Sequence, residues 1–222
     1  MKIGPLTVVL RLPEHVRNRG RRLSGLLLAA TLLGTGCGPS QPEPEQRLEP
    51  IEIAPSSAFH LLDLADNEVN PFASTDARWL VFIFISVDCP ISNRYAPEIR
   101  RLHGKFAPQG VRFWLVHPNV DESAAAIRKH TEDYQYQMGV LRDSKHRLVK
   151  ETKVRVTPEA VVFERTGRML YRGRIDDRFA DLGKERAAPT AHDLENALRA
   201  VIAGQPVPQP ATRAIGCYIP QE

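Results

Sequence analysis

The chain has 222 residues, 42% hydrophobic and 25% charged, with a formal net charge of +4. That composition suits one globular domain with a real core and excludes collagen, extended coiled coil and wholesale disorder. The positive charge is local: residues 1–37 hold Lys2, Arg11, Arg17, Arg19, Arg21 and Arg22 against Glu14, a net of +5, which leaves residues 38–222 at −1. Nucleic acid is therefore not expected as a partner of the folded part.

The leader comes first. A basic stretch ending "RNRGRR" precedes the apolar run Leu23 to Leu33, too short to span a bilayer but suited to the apolar centre of a signal peptide. It closes on "GTGC", and the whole resembles a bacterial lipoprotein signal, in which Cys37 would be acylated and become the new N-terminus. Gly34 stands where such signals usually carry leucine, with Leu33 one step earlier. A plainly cleaved secretory peptide is the alternative. Both predict export, to the periplasm or cell-envelope face, and the first adds a lipid anchor in the membrane. Residues 38–55 are rich in Pro and Glu and predict an extended linker. The folded domain is expected over 56–205, with an extended tail over 206–222.

Within that domain strand and helix alternate. "FHLLDLADNEVN" reads as a hairpin-like entry, and Trp79 to Ile85 as a central strand buried on both faces. Tyr95, Ile99, Leu102 and Phe106 recur at helical spacing from Asn93 to a closing Gly110. A strand over 111–116 follows, then a helix capped by Asp121, a short helix in "HRLVKETKV", strands over 159–165 and 168–175, and a last helix ended by Gly204. Parallel strands joined by helices and then a hairpin predict an α/β sandwich: a central mixed β-sheet with helices on both faces.

Cys89 falls where the central strand gives way to a helix. Unpaired N–H groups and the helix dipole there favour thiolate, the form that attacks disulfides and peroxides. Pro90 suits a first helical turn, and Ser92 can turn its hydroxyl back toward the sulfur. Asp88 opposes ionisation and Arg94 favours it, and which of the two charges wins depends on geometry. The competing reading is a buried, inert cysteine.

"CPISNRYAP" resembles the active-site helix of thioredoxin-like proteins, with Cys89 as attacking cysteine, Ser92 in place of the usual second cysteine, and Pro97 at the helix-kinking proline. "VTPEAVVF" is similar to that family's loop before its hairpin, which implies a cis Thr157–Pro158 bond beside the sulfur and a backbone edge for substrate. More narrowly, "DCPISNRYAPEI", "GRIDDR" and "GCYI" resemble exported bacterial redoxin domains of the alkyl hydroperoxide reductase and thiol-specific antioxidant (AhpC/TSA) branch, over roughly residues 56–219. The resemblance implies a thioredoxin-like sandwich and a thiol-based oxidoreductase acting on disulfides or peroxides. Cys89 would be nucleophile, with Pro158 and Thr157 shaping the substrate edge and Pro90, Ser92 and Asn93 beside the sulfur or a bound oxidant. Peroxiredoxins carry proline seven before and Thr or Ser three before their cysteine; Phe82 and Ser86 stand there, so half of that motif is present.

Three cysteines leave an odd one unless Cys37 takes lipid. Cys217 lies in a proline-rich tail that cannot continue the last helix. The expectation is a strap that returns to the active site, so that Cys217 resolves oxidised Cys89 as a disulfide; a free or packing cysteine is the alternative. His117 is expected to serve hydrogen bonding. A rival reading joins Cys89, Cys217 and His117 in a soft copper site, making the domain a non-catalytic module that binds copper or a redox partner. Partners are otherwise a thiol, disulfide or peroxide substrate and an exported haem or copper protein. No cofactor and no metal are expected for the catalytic reading. The charges of 172–178 read as a salt-bridged hairpin end, and those of 183–186 as a solvated loop.

Overall fold

The computed structural model describes residues 59–73 and 76–220; the predicted leader, Cys37, the linker and the domain start at Ser56 lie outside them. The chain enters on an antiparallel hairpin, β1 (Leu61–Leu62) and β2 (Glu68–Val69). The Asp63 carboxylate closes its turn by accepting from the N–H groups of Ala65 and Asn67 at 2.7 and 2.9 Å. β3 (Trp79–Phe84) is buried at every position, as its unbroken apolar run predicts. The helix predicted from Asn93 is divided: α1 (Pro90–Arg94) ends at Tyr95 and α2 (Ala96–Phe106) begins anew. Pro97 sits in the first turn of α2, where its missing N–H is not needed.

β4 (Val111–His117) leads to α3 (Ala124–Asp133). The cap of α3 is Ser123, whose hydroxyl accepts from Ala126 N–H at 3.1 Å, and not the predicted Asp121. A strand that the sequence pattern does not announce follows, β5 (Gly139–Arg142). It is short and starts on glycine because Trp114 of β4 lies against it: a Cβ at Gly139 would come within 2.3 Å of the indole. Next come α4 (Arg147–Thr152), β6 (Val156–Thr157), β7 (Glu159–Glu164), β8 (Met169–Gly173), an outlying hairpin of β9 (Phe179–Asp181) and β10 (Lys184–Glu185), and α5 (Asp193–Ile202). The chain closes on β11 (Cys217–Tyr218).

The main sheet runs β2-β1-β5-β4-β3-β7-β8. β3 pairs parallel with β4 and β4 with β5, whereas β7 runs antiparallel to both β3 and β8. Alternation along β3 divides its side chains between two cores. Trp79, Val81 and Ile83 pack with Ile99, Leu102 and Phe106 of α2 and Leu194 and Leu198 of α5. Leu80, Phe82 and Phe84 pack on the other face with Leu148 and Val149 of α4 and with Phe72 and Phe163. The predicted α/β sandwich, with a mixed sheet covered on both faces, is the observed architecture.

Beyond α5 the tail runs along the edge of the sheet. Thr212 N–H donates to Arg172 O at 3.0 Å and Arg172 N–H to Pro210 O at 2.9 Å, so residues 210–212 lie beside β8. Then β11 pairs antiparallel with β6, setting Cys217 opposite Thr157 and Tyr218 opposite Val156. Ile219 anchors the end: its N–H donates to Arg155 O at 2.9 Å and its side chain is buried in the second core.

Candidate active site

The Thr157–Pro158 peptide is cis, as the loop's resemblance implies. Cys89 is the N-cap of α1, and its Sγ accepts from Ser92 N–H at 3.4 Å. As a thiol it donates to Thr157 O at 3.0 Å. The register of β11 sets Cys217 opposite Thr157, the residue whose carbonyl oxygen Cys89 Sγ contacts, so both thiols converge on Thr157. Both cysteines are unlinked thiols. The tail thus runs as a strap to β6, where it reaches Thr157 beside Cys89.

Cys89 is buried, as the competing reading has it, being only 1% exposed. Its surroundings are nonetheless polar. Burial, the largest influence, pushes its pKa up, yet hydrogen bonds from Cys217, from the hydroxyl and amide of Ser92 and from Thr157 outweigh it, so the thiol lies below the ordinary cysteine value. The Ser92 hydroxyl is buried without a hydrogen-bonding partner and sits three residues from Cys89, the cap of the same short helix, within rotation of a thiolate there. Cys217 is pushed the opposite way, to about 12, by burial and then by its hydrogen bond to Cys89 and the charge there. The two sulfurs are thus pushed in opposite directions.

Pro90 occupies the first turn of α1 and is exposed, whereas Thr157 and Pro158 are buried beneath the strap. Asn93, expected beside the sulfur or an oxidant, has its amide engaged elsewhere. Its Nδ2 donates to Val87 O at 3.1 Å and its Oδ1 lies 2.8 Å from His130 Nε2. Asn93 thus braces the loop that carries Cys89 and does not face the sulfur.

Two residues that the sequence pattern leaves unmarked complete that brace. Glu122, nearly buried, accepts from the Ser86 hydroxyl at 2.6 Å and Val87 N–H at 2.8 Å through Oε1, and its Oε2 meets His117 Nδ1 at 2.7 Å. Burial pushes the Glu122 carboxyl up, but His117, Ser86 and Val87 together bring it below its ordinary value. His130 lies edge-on to His117 with ring centroids 5.9 Å apart, and burial followed by the charge of His117 lowers its pKa. Glu122 escapes notice because it sits in a polar run, "NVDES", that reads as solvent-facing; only its inward side chain distinguishes it from Asp121.

His117 is a buried hydrogen-bonding residue, as expected. It does not join the cysteines: among the described residues, the group of three potential ligands whose donor atoms lie within 4.8 Å of one another is Glu98, Asp176 and His192. The charges of 172–178 are salt-bridged, as expected, with Arg174 paired to Asp193 at 2.7 Å and Asp177 to Arg186 at 3.5 Å, and the two acids of "GRIDDR" are also buried anchors. Asp176 accepts from the Tyr95 hydroxyl at 2.6 Å, and Asp177 accepts from Thr190 N–H, the Thr190 hydroxyl and Ala191 N–H at 2.5 to 2.9 Å. Residues 183–186 are exposed, as predicted, though Glu185 reaches across to pair with Arg94.

Comparison with known proteins bears on the family and the fold. The model of the AhpC/TSA family matches residues 52–172. An uncharacterized conserved protein of Geobacillus kaustophilus superposes with a TM-score of 0.65 at 26% identity, covering 78% of this chain and 93% of that one. A hypothetical protein of Sinorhizobium meliloti superposes at 0.63 with 27% identity, covering 72% and 89%. A secreted disulfide oxidoreductase of Mycobacterium tuberculosis is more distant, at 0.46 and 18% identity, with 64% and 95% covered. No curated protein matches the chain significantly.

Proposed function

Because the chain belongs to the AhpC/TSA family and has a thioredoxin-like fold, we propose that it is a thiol-based oxidoreductase in which Cys89 is the nucleophile and Cys217 the resolving cysteine. The observation that carries this reading is the convergence of both cysteines on Thr157: Cys217 lies opposite it in the β11–β6 pair, and Cys89 Sγ donates to its carbonyl at 3.0 Å. With a peroxide, the Cys89 thiolate attacks one oxygen, the O–O bond breaks, and the alkoxide or hydroxide leaves with the electron pair and takes a proton from solvent. Cys89 is then a sulfenic acid. Cys217 attacks its sulfur, loses its proton, and water departs, leaving a Cys89–Cys217 disulfide that an external dithiol reduces with two electrons and two protons. With a disulfide substrate, the Cys89 thiolate attacks one sulfur, the substrate S–S bond breaks and the other half leaves as thiolate; Cys217, losing its proton, then displaces the bound half as a second thiolate.

Ser92 and the N-terminus of α1 stabilise the attacking thiolate, while Pro158 and Thr157 supply the edge on which Cys217 is seated. Glu122 and Asn93 hold the loop on which Cys89 stands. The reading also places the domain outside the cytoplasm, anchored through lipid on Cys37. It is supported by the basic stretch, the apolar run and the small residues before that cysteine.

Turnover of hydrogen peroxide with a dithiol donor tests the chemistry. Cys89→Ser should abolish it, and Cys217→Ser should accumulate a sulfenic acid that a dimedone-type probe labels at residue 89. Undiminished turnover in Cys89→Ser rejects the reading, and two separately alkylated thiols after oxidation reject the role of Cys217. Labelling with a fatty-acid analogue that persists in Cys37→Ala would reject the anchor.

A further inference from the structure

Away from the thiols, three side chains from separate segments converge. Glu98 stands in the first turn of α2, Asp176 in the turn after β8 and His192 at the N-cap of α5. One donor atom from each lies within 4.8 Å of the other two. Asp176 is 1% exposed. Its Oδ1 accepts from the Tyr95 hydroxyl at 2.6 Å and Arg178 N–H at 2.9 Å, while its Oδ2 is buried with no hydrogen-bonding partner. A buried carboxylate oxygen left in that condition is costly, and a bound ion is one of the few arrangements that relieves it. The His192 ring makes no capping bond and is exposed, so it can turn toward the acids.

We propose that Glu98, Asp176 and His192 bind one divalent transition-metal cation of the zinc type, which ties the start of α2 to the turn after β8 and to the start of α5. Two carboxylates supply negative charge, and the imidazole selects against magnesium and calcium, which take oxygen ligands. Zinc bonds to N and O donors at about 2.0–2.2 Å, so the three donors close inward mainly by rotation of the exposed imidazole. Arg101 opposes binding, since its guanidinium chelates both oxygens of Glu98 at 2.7 Å. Each of those oxygens keeps a second lone pair, so Glu98 can offer one to the metal without releasing Arg101. The positive end of α5 also weakens the site. It is accordingly an open site with room for water, of lower affinity than a closed four-ligand one.

The test is a calorimetric titration of zinc chloride into the full chain carrying Cys89→Ser and Cys217→Ser, so that neither thiolate contributes. One equivalent should bind and, at about a hundredfold excess over the dissociation constant, raise Tm by roughly 5 °C. In that background His192→Ala, a change at an exposed side chain, should weaken binding at least about tenfold and leave the zinc-free Tm within about 2 °C. Glu98→Gln should weaken it similarly. Absence of binding, or an affinity unchanged by His192→Ala, overturns the proposal. With both thiols removed, neither outcome bears on the redox reading.

Discussion

The opposite acidities of the two sulfurs are a mutual effect, because each thiol is among the causes of the other's shift. Replacing Cys217 with alanine removes the strongest of the groups that lower the Cys89 pKa. The midpoint of Cys89 alkylation against pH should therefore move upward in Cys217→Ala, even though access to the sulfur improves; the midpoint, and not the rate at one pH, is the measurement that separates the two effects. Glu122 yields a second expectation. Its depressed pKa means that its contribution is present above the unfolded carboxyl value near 4.3 and is lost as pH falls through the lower folded value. Glu122→Gln should cost about 1–3 kcal/mol at pH 7 by chemical denaturation, with the difference from the parent narrowing in acid. Cys89 could be singled out from its place at a strand-to-helix junction before proline. Glu122 could not, because whether a carboxylate in a polar loop turns inward depends on His117 and Ser86, which the fold supplies from elsewhere.

At the level of elements, β11 is held by ladder bonds to β6 and by the buried Ile219. It passes so close to the cis-proline loop that a Cβ at Gly216 would lie 2.2 Å from Thr157 O. Gly216→Ala should thus lift the strand at a cost of about 1–3 kcal/mol. Cys89 alkylation should then quicken about tenfold, and disulfide formation on mild oxidation should slow; unaltered rates would mean that β11 does not control access. Long, periodic elements were legible: β3 from its apolar run, and α2 and α5 from helical spacing. β5 was not, since its four residues open on a glycine that suits an indole from the neighbouring strand. The start of α3 was misplaced for a similar reason. Asp121 and Ser123 are both good caps, and the choice of Ser123 goes with the withdrawal of Glu122 into the interior.

For the molecule as a whole, stability rests on two cores that share β3. Phe82 is fully buried and packs edge-on to Phe163 at 5.8 Å. Phe82→Ala should cost about 3–5 kcal/mol, a large share of the roughly 5–15 kcal/mol available to a domain, and lower Tm by about 10 °C. A change of less than 3 °C would mean that this face contributes little. The α/β class was readable because alternating strands and helices admit few ways to bury their apolar faces. The route of residues 206–220 was readable only in outline: proline excluded a helix, but no local pattern specifies contacts with Arg172 and Thr157, far earlier in the chain.

That route has a consequence for which molecules can reach the sulfur. A foreign polypeptide that docked by adding a strand beside Val156 and Thr157 would need the backbone groups already taken by Cys217 and Tyr218. Hydrogen peroxide requires no such eviction. Truncation after Gln205 should accordingly speed the reaction of Cys89 with a disulfide-bearing peptide far more than its reaction with hydrogen peroxide, so that in the intact chain the last residues act as a sieve graded by the size of the oxidant.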